Sequence, residues 1–185
     1  MIRAYMIQPV SAMRRHLQIV PETSGVYAFL LDEPHTLQPA LDRAHLSMDS
    51  LRLGQRDILY LGATEDSLRR RLKAHLSDDT CRSTFRMSLG ALLAEELDLK
   101  VLPRRGVRYF GFEPESEARL SHWIERHLSV AVRASAQAMQ EERSLIAKRD
   151  PVLNISGRHH QPSAGAMLVM RRTLRGLPFD VRGLH

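Results

Sequence analysis

An arginine and a histidine four residues apart, Arg71 and His75, sit in a basic stretch that reads as a helix, so both side chains project from one side of it. The guanidinium of Arg71 is a planar fork of donors that suits a phosphate and stays charged at any working pH. The imidazole of His75 is able to move a proton. Two tyrosines, Tyr27 and Tyr60, lie in separate apolar runs. A phenol is a poor base at its free pKa of about 10 and has to sit beside a cation or a metal-bound water to act as one. Far along the chain, Glu142 offers a single carboxylate able to hold one Mg²⁺ mainly through water, because that ion keeps much of its hydration shell. Asn154 adds an amide that bridges by hydrogen bonds. These are the residue types that phosphodiester hydrolysis asks for: a nucleophilic water, charge stabilisation on the phosphoryl oxygens and help for the departing 3′ oxygen. Each also has an ordinary structural reading. A strand tyrosine is usually a packing residue, an arginine in an Arg-Arg-Arg run a solvated face, a helical glutamate an exposed charge, and Asn154 the end of a segment.

The elements that would have to position them are readable. Gly25-Val26-Tyr27-Ala28-Phe29-Leu30-Leu31 follows the turn-like Pro21-Glu22-Thr23-Ser24, which predicts a buried strand. Asp57-Ile58-Leu59-Tyr60-Leu61-Gly62 has the same character, and its terminal glycine is expected to release the backbone into a turn. Asp66 or Ser67 caps the helix that follows, in which Leu68, Leu72 and Leu76 recur at spacing four and Arg69, Arg70, Arg71 and Lys73 fill other faces. Glu142 to Lys148 reads as helix stopped near Asp150-Pro151, then a short extended piece reaching Asn154.

The order Gly-Val-Tyr, Tyr-Leu-Gly, Arg and His on a helix, Glu before a Leu-Ile pair, then Pro and Asn resembles the GIY-YIG nucleases, over roughly residues 22 to 155. The resemblance implies a small α/β domain with a central, mostly antiparallel, three-stranded sheet flanked by helices, acting as a divalent-metal-dependent DNA endonuclease with Mg²⁺ or Mn²⁺ as cofactor. Carried over, the motif tyrosines fall on Tyr27 and Tyr60, the helical arginine on Arg71, the histidine on His75, the metal-binding glutamate on Glu142 and the late asparagine on Asn154. Arg70 competes with Arg71, which is preferred because Leu72 and His75 then fall into register; Glu141 is the acid adjacent to Glu142. The stretch between the two motifs, residues 32 to 56, reads as an insertion between the first two strands. In the mechanism this implies, a water deprotonated by Tyr27 or through Tyr60 attacks phosphorus in line, with His75 tuning the tyrosine or sharing the proton transfer. Arg69, Arg70, Lys73, Arg171 and Arg172 are the expected DNA contacts. The alternative from another class is a non-catalytic nucleic-acid-binding module that keeps the fold.

Composition agrees with such a partner. Lys and Arg number 27 against 21 acids, a formal charge of +6 with a pI near 10.1, which suits a surface that approaches phosphates. Of the 185 residues 43% are hydrophobic, enough for one domain with a proper core, with residues 156 to 185 as a basic extension that either runs along a DNA backbone or covers the core. No apolar run of membrane length or clear secretory start is present, and a lone cysteine, Cys81, argues against a disulfide framework; a cytoplasmic protein without an obligate protein partner is the expectation. His122 and His127 are five residues apart, which does not place two ligands on one helix face, and no P-loop glycine pattern occurs. The remaining periodicities predict a short helix within 36–52, helices over 83–97, 115–128 and 134–148, a third strand over 107–112 and an edge strand over 129–133.

Overall fold

A computed structural model describes residues 4–48, 52–102, 110–148, 150–156 and 161–176. In chain order these form β1 (Met6–Pro9), α1 (Val10–Arg15), β2 (Gly25–Leu31), α2 (Gln38–Arg43), β3 (Arg52–Leu53), β4 (Arg56–Thr64), α3 (Leu68–His75), α4 (Thr84–Leu92), β5 (Val101–Leu102), β6 (Gly111–Phe112), α5 (Pro114–His127), β7 (Leu128–Ala134), α6 (Ala138–Lys148) and α7 (Pro162–Leu174). Five strands make one antiparallel sheet in the order β1-β7-β2-β4-β3, and β5 and β6 pair separately.

The sheet is therefore five-stranded rather than three-stranded. The predicted edge strand, 129–133, is interior, hydrogen-bonded to β1 on one side and β2 on the other. Its neighbour β1 escapes sequence reading because it has three half-exposed residues and ends in an exposed proline, leaving no periodicity to read. The predicted third strand at 107–112 falls partly outside the described residues; Gly111 and Phe112 pair with Val101 and Leu102, not with the main sheet. Between the two motifs the short helix expected within 36–52 covers Gln38–Arg43.

The two sheet faces are separately filled. Tyr27, Phe29 and Leu31 of β2 point to the larger core with α3, α4 and α5, while Ala28 and Leu30 meet Ile146 of α6 on the other side. This is the period of two expected of a strand buried on both faces. β4 breaks that period. Phe29 pairs with Tyr60 but Leu30 pairs with Ile58, so Leu59 is an extra residue, a β-bulge. The consequence is positional: Leu59 and the adjacent Tyr60 both face the larger core. Tyr60 pairs with Phe29, two residues along from the Tyr27–Gly62 pair, and so lies on the same side as Tyr27 by the regular register.

Beyond the two residues paired with β3, the outer edge of β4 is covered by the segment after α6. The N–H of Leu153 bonds to the Leu59 carbonyl at 3.0 Å. The Asn154 amide acts like one more peptide unit: its Oδ1 accepts from the Leu61 N–H at 2.8 Å and its Nδ2 donates to the Leu61 carbonyl at 2.9 Å. A buried strand edge left unpaired would cost roughly 1–3 kcal/mol per orphaned group, which this clamp avoids.

α3 is fixed at its start. Ser67 accepts from the Arg70 N–H, as the expected cap, and the N–H groups of Leu68 and Arg69 bond to the carbonyls of Thr23 and Pro21. The segment leading into β2 thus holds the helix against that strand. The extension past residue 155 is not a loose basic strip as far as it is described: α7 packs on α4, with Ala164 and Met167 buried in the core.

Candidate active site

α3 turns the stripe Leu68, Arg71, Leu72 and His75 inward, at spacings of three and four, and leaves Arg70 and Lys73 outside. His75 is fully buried, and its Nε2 lies 2.8 Å from Tyr27 Oη. Arg71 donates its Nε–H to the same oxygen at 3.1 Å. The rings of Tyr27 and Tyr60 are 6.4 Å apart, and Tyr60 Oη pairs with Thr84 Oγ1 of α4 at 2.9 Å. Phe29 and Phe85, stacked at 3.7 Å, form the floor beneath this group.

From the opposite face of the sheet, α6 delivers Glu142, whose half-buried carboxylate accepts the N–H of Ala63 on the outer edge of β4. Its charge is felt at Tyr27, Tyr60 and Arg71. The structure therefore brings Tyr27, Tyr60, Arg71, His75 and Glu142 together. Asn154 holds the Leu61 backbone between Tyr60 and Gly62.

The neighbouring candidates separate cleanly. Arg70 is 71% exposed and pairs with Asp66, whereas Arg71 is inside the cluster. Glu141 has both oxygens engaged, one by Arg133 at 2.5 Å and one by the Ser135 hydroxyl at 2.7 Å. Glu142 is the acid turned to the site. Arg69 directs its donors to the carbonyls of Val20 and Gln18 and to Glu22, tying α3 to the N-terminal segment. Lys73 is exposed on the outer face of α3. Arg171 reaches from α7 to the sulfur of Met87 at 3.2 Å, close enough that its charge acts on Tyr60, and the half-buried Arg172 follows it on α7.

Gly62 has a different part from the one predicted. It lies within β4, opposite Tyr27, and the strand continues to Thr64. A β-carbon there would come within 2.3 Å of both Cζ and Oη of Tyr27. Glycine is required so that the phenol can lie flat on the strand. Gly62→Ala should cost about 2 kcal/mol through overpacking, a fall in melting temperature of roughly 4–8 °C for a domain of this size, and should displace the Tyr27 hydroxyl. An unchanged melting temperature would show that the ring is not seated on this glycine.

Electrostatically the cluster mixes one permanent cation with groups held in their uncharged forms. Burial depresses His75 to about 3, with the charges of Arg71 and Arg86 adding to it, so the ring is neutral near pH 7. Burial pushes both phenols above their ordinary value, and the Arg71 charge opposes this at each of them. Burial also raises Glu142, against the Ala63 N–H and the charges of Arg143 and Arg71. A carboxylate raised by desolvation gains from a cation that replaces the lost hydration. Among the described residues no three His, Cys, Asp or Glu side chains converge as a metal cluster, so the arrangement fits one hydrated divalent ion on a single carboxylate rather than a closed cage. No helix among the described residues is long and apolar enough to cross a membrane.

Three contributors were not singled out by sequence reading. Thr84 holds Tyr60, Ser83 lies 2.7 Å from Nδ1 of His75, and the fully buried Arg86 pairs with Glu117 of α5 at 2.7 Å behind the histidine. The Ser-Thr pair at the head of a predicted helix was legible as a cap; that the cap also faces the site was not.

A family model described as the GIY-YIG catalytic domain matches residues 25–174, a span that takes in α7. No curated protein and no solved structure matches the chain.

Proposed function

The chain belongs to the GIY-YIG catalytic-domain family, whose members are generally nucleases, and on that premise we propose that it is a divalent-metal-dependent DNA endonuclease that hydrolyses phosphodiester bonds. The observation that carries this reading is the convergence of Tyr27, His75 and Arg71 on one phenol oxygen, with Glu142 facing them. A module that only bound nucleic acid would gain nothing from burying a phenol, an imidazole and a guanidinium in mutual contact, at a desolvation cost.

Glu142 would hold the divalent cation, Mg²⁺ or Mn²⁺, which when bound supplies charge stabilisation for the leaving 3′ oxygen. Arg71 has its Nε–H on Tyr27, and its remaining donors are suited to the phosphoryl oxygens; the same charge favours the ionised form of the phenol. Tyr27, its own hydroxyl proton having first passed to solvent, takes a proton from the attacking water. The water oxygen bonds to phosphorus as the bond from phosphorus to the 3′ oxygen breaks. Tyr60, bonded to Thr84, supports the water or the phosphate, and Asn154 holds the adjacent Leu61 of β4 in place. The exposed Lys73, with Arg70, Arg171 and Arg172, supplies backbone contacts whose strength falls with salt. The chain is taken as one domain, working in the cytoplasm without an obligate protein partner.

The test is the pair Tyr27→Phe and Tyr60→Phe in a plasmid-cleavage assay. Loss of the base predicts a rate reduced by at least about 10²-fold for Tyr27→Phe and by less for Tyr60→Phe. Each change removes only an oxygen, so melting temperatures near the parent's show an intact fold. A parental rate for Tyr27→Phe would transfer the base role to Tyr60 or His75.

A further inference from the structure

We propose that the divalent ion and DNA load onto the Glu142 site together, and that Arg143, the next residue on α6, sets this coupling: its charge opposes a metal on the carboxylate until DNA phosphates compensate it. The inference deepens the nuclease reading and rests on its assignment of Glu142 as the metal ligand. Neither the coupling nor a part for Arg143 belongs to that reading.

Glu142 meets the sheet at Ala63, whose N–H it accepts. Ala63 follows Gly62, against which the Tyr27 ring lies, and Arg71 donates to the Tyr27 hydroxyl at 3.1 Å. One fixed cation is therefore built into the same corner of the sheet. The second is covalently adjacent, since Arg143 follows Glu142 on α6 with its side chain exposed. The charges of both arginines act on the Glu142 carboxylate. Tyr27, Tyr60 and His75 are held in their uncharged forms and supply no counter-charge. Glu141, the neighbouring acid, is engaged by Arg133 at 2.5 Å and by the Ser135 hydroxyl at 2.7 Å. Among the described residues no set of three metal-ligating side chains converges. One carboxylate thus stands against two guanidiniums, and this corner is positive before any metal arrives.

Such a corner disfavours a dication while the substrate is absent. A hydrated divalent ion on a single carboxylate is weakly held to begin with, and each guanidinium within a Debye length weakens it further. DNA reverses the sign. Its phosphates pair with Arg71 and Arg143, and a phosphoryl oxygen gives the ion a second anionic ligand. Metal and DNA then raise each other's affinity by one common factor, as linkage requires. Arg143 has two parts in this, opposing the ion in the free protein and holding a phosphate in the complex, so it is a binding residue rather than a catalytic one. Its exposure limits the bias: a solvated charge is screened, and the ion is discouraged rather than expelled.

The measurement is Mn²⁺ binding to the full-length Tyr27→Phe protein with and without a short DNA duplex, read from the electron paramagnetic resonance signal of the free ion. Tyr27→Phe preserves the duplex and leaves every charge in place. Adding Glu142→Gln to it, with and without duplex, gives the blank for Mn²⁺ held elsewhere, on DNA included. Glu142-dependent binding should be at least about tenfold tighter with the duplex, a coupling of ordinary size. Mn²⁺ should tighten DNA binding by the same factor, a gain missing from the Glu142→Gln protein, which should bind DNA as the metal-free parent does. Arg143→Gln should tighten Mn²⁺ on the DNA-free protein by about threefold, as for removal of one screened unit charge near a dication, and should shrink the gain from DNA. Equal affinity with and without duplex would overturn the coupling, and an unchanged DNA-free affinity in Arg143→Gln would overturn the part given to Arg143; both results leave the nuclease reading standing. Absence of Glu142-dependent binding in either state would overturn the inference together with the metal assignment beneath it. Coupled, Glu142-dependent binding, in a protein that leaves plasmid uncut when Tyr27 is restored, would support the inference and fail the nuclease reading alone.

Discussion

Glu142→Ala is expected to abolish metal-dependent cleavage while leaving DNA binding largely in place. The carboxylate enters the site from α6, on the far face of the sheet from the tyrosines, and its recorded hydrogen bond is to the Ala63 N–H, at the strand edge rather than in the core. Removing it takes away the ligand for the cation and little packing. Loss of that charge stabilisation is worth on the order of 4 kcal/mol, roughly 10³-fold in rate. Glu141→Ala is the control. Its carboxylate joins Arg133 and Ser135, so the change should cost some stability and spare turnover. Equal metal-dependent rates for Glu142→Ala and the parent, compared in one nicking assay over a series of Mg²⁺ concentrations, would remove Glu142 from the site.

Arg71→Lys should be nearly as damaging. The guanidinium reaches Tyr27 with one N–H and keeps others for phosphate, a division of labour that an ammonium on a flexible stem cannot reproduce. Withdrawing a donor aimed at developing negative charge typically costs about 10²–10³-fold. Arg70→Lys should have a small effect, because that side chain is mostly exposed and its ion pair with Asp66 contributes at most about 1 kcal/mol. Cleavage rates for the two variants at equal protein concentration decide the matter. A severe Arg70→Lys beside a mild Arg71→Lys would mean that the outer arginine handles the phosphate.

The inward placement of Arg71 was reachable from the sequence for a local reason, whereas Glu142 was singled out through the resemblance. The leucine stripe of α3 fixes which helical positions turn inward, so Arg71 and His75 were placed by the same periodicity that places Leu68 and Leu72. The strands carrying Tyr27 and Tyr60 announced themselves by composition, as did the helix of Glu142 and the stop before Asn154. What sequence could not show depends on contacts between distant segments. The bulge at Leu59, which turns the adjacent Leu59 and Tyr60 to one face, is a matter of register between two strands and leaves no mark in either alone. Met6–Pro9 becomes a strand because β7 offers it an edge, not because its own residues demand it. Gly62 read as a turn glycine because glycine before a helix usually is one; its true constraint is the phenol opposite. Asn154 was grouped with the chemistry, and its two bonds to Leu61 make it a brace for the strand that carries the chemistry. The basic tail was read as either a DNA contact or a cover for the core, and Ala164 and Met167, spaced for one helix face, bind part of it to the core.

The most direct measurement is incubation of the purified protein with supercoiled plasmid, linear duplex and single-stranded DNA, each with and without Mg²⁺ or Mn²⁺, followed by electrophoresis. The account predicts that the supercoiled form converts to nicked or linear product only when the divalent ion is present, and that chelation stops the conversion. Retarded but uncleaved DNA under every metal condition would contradict it, and would leave a fold that binds nucleic acid without cutting it.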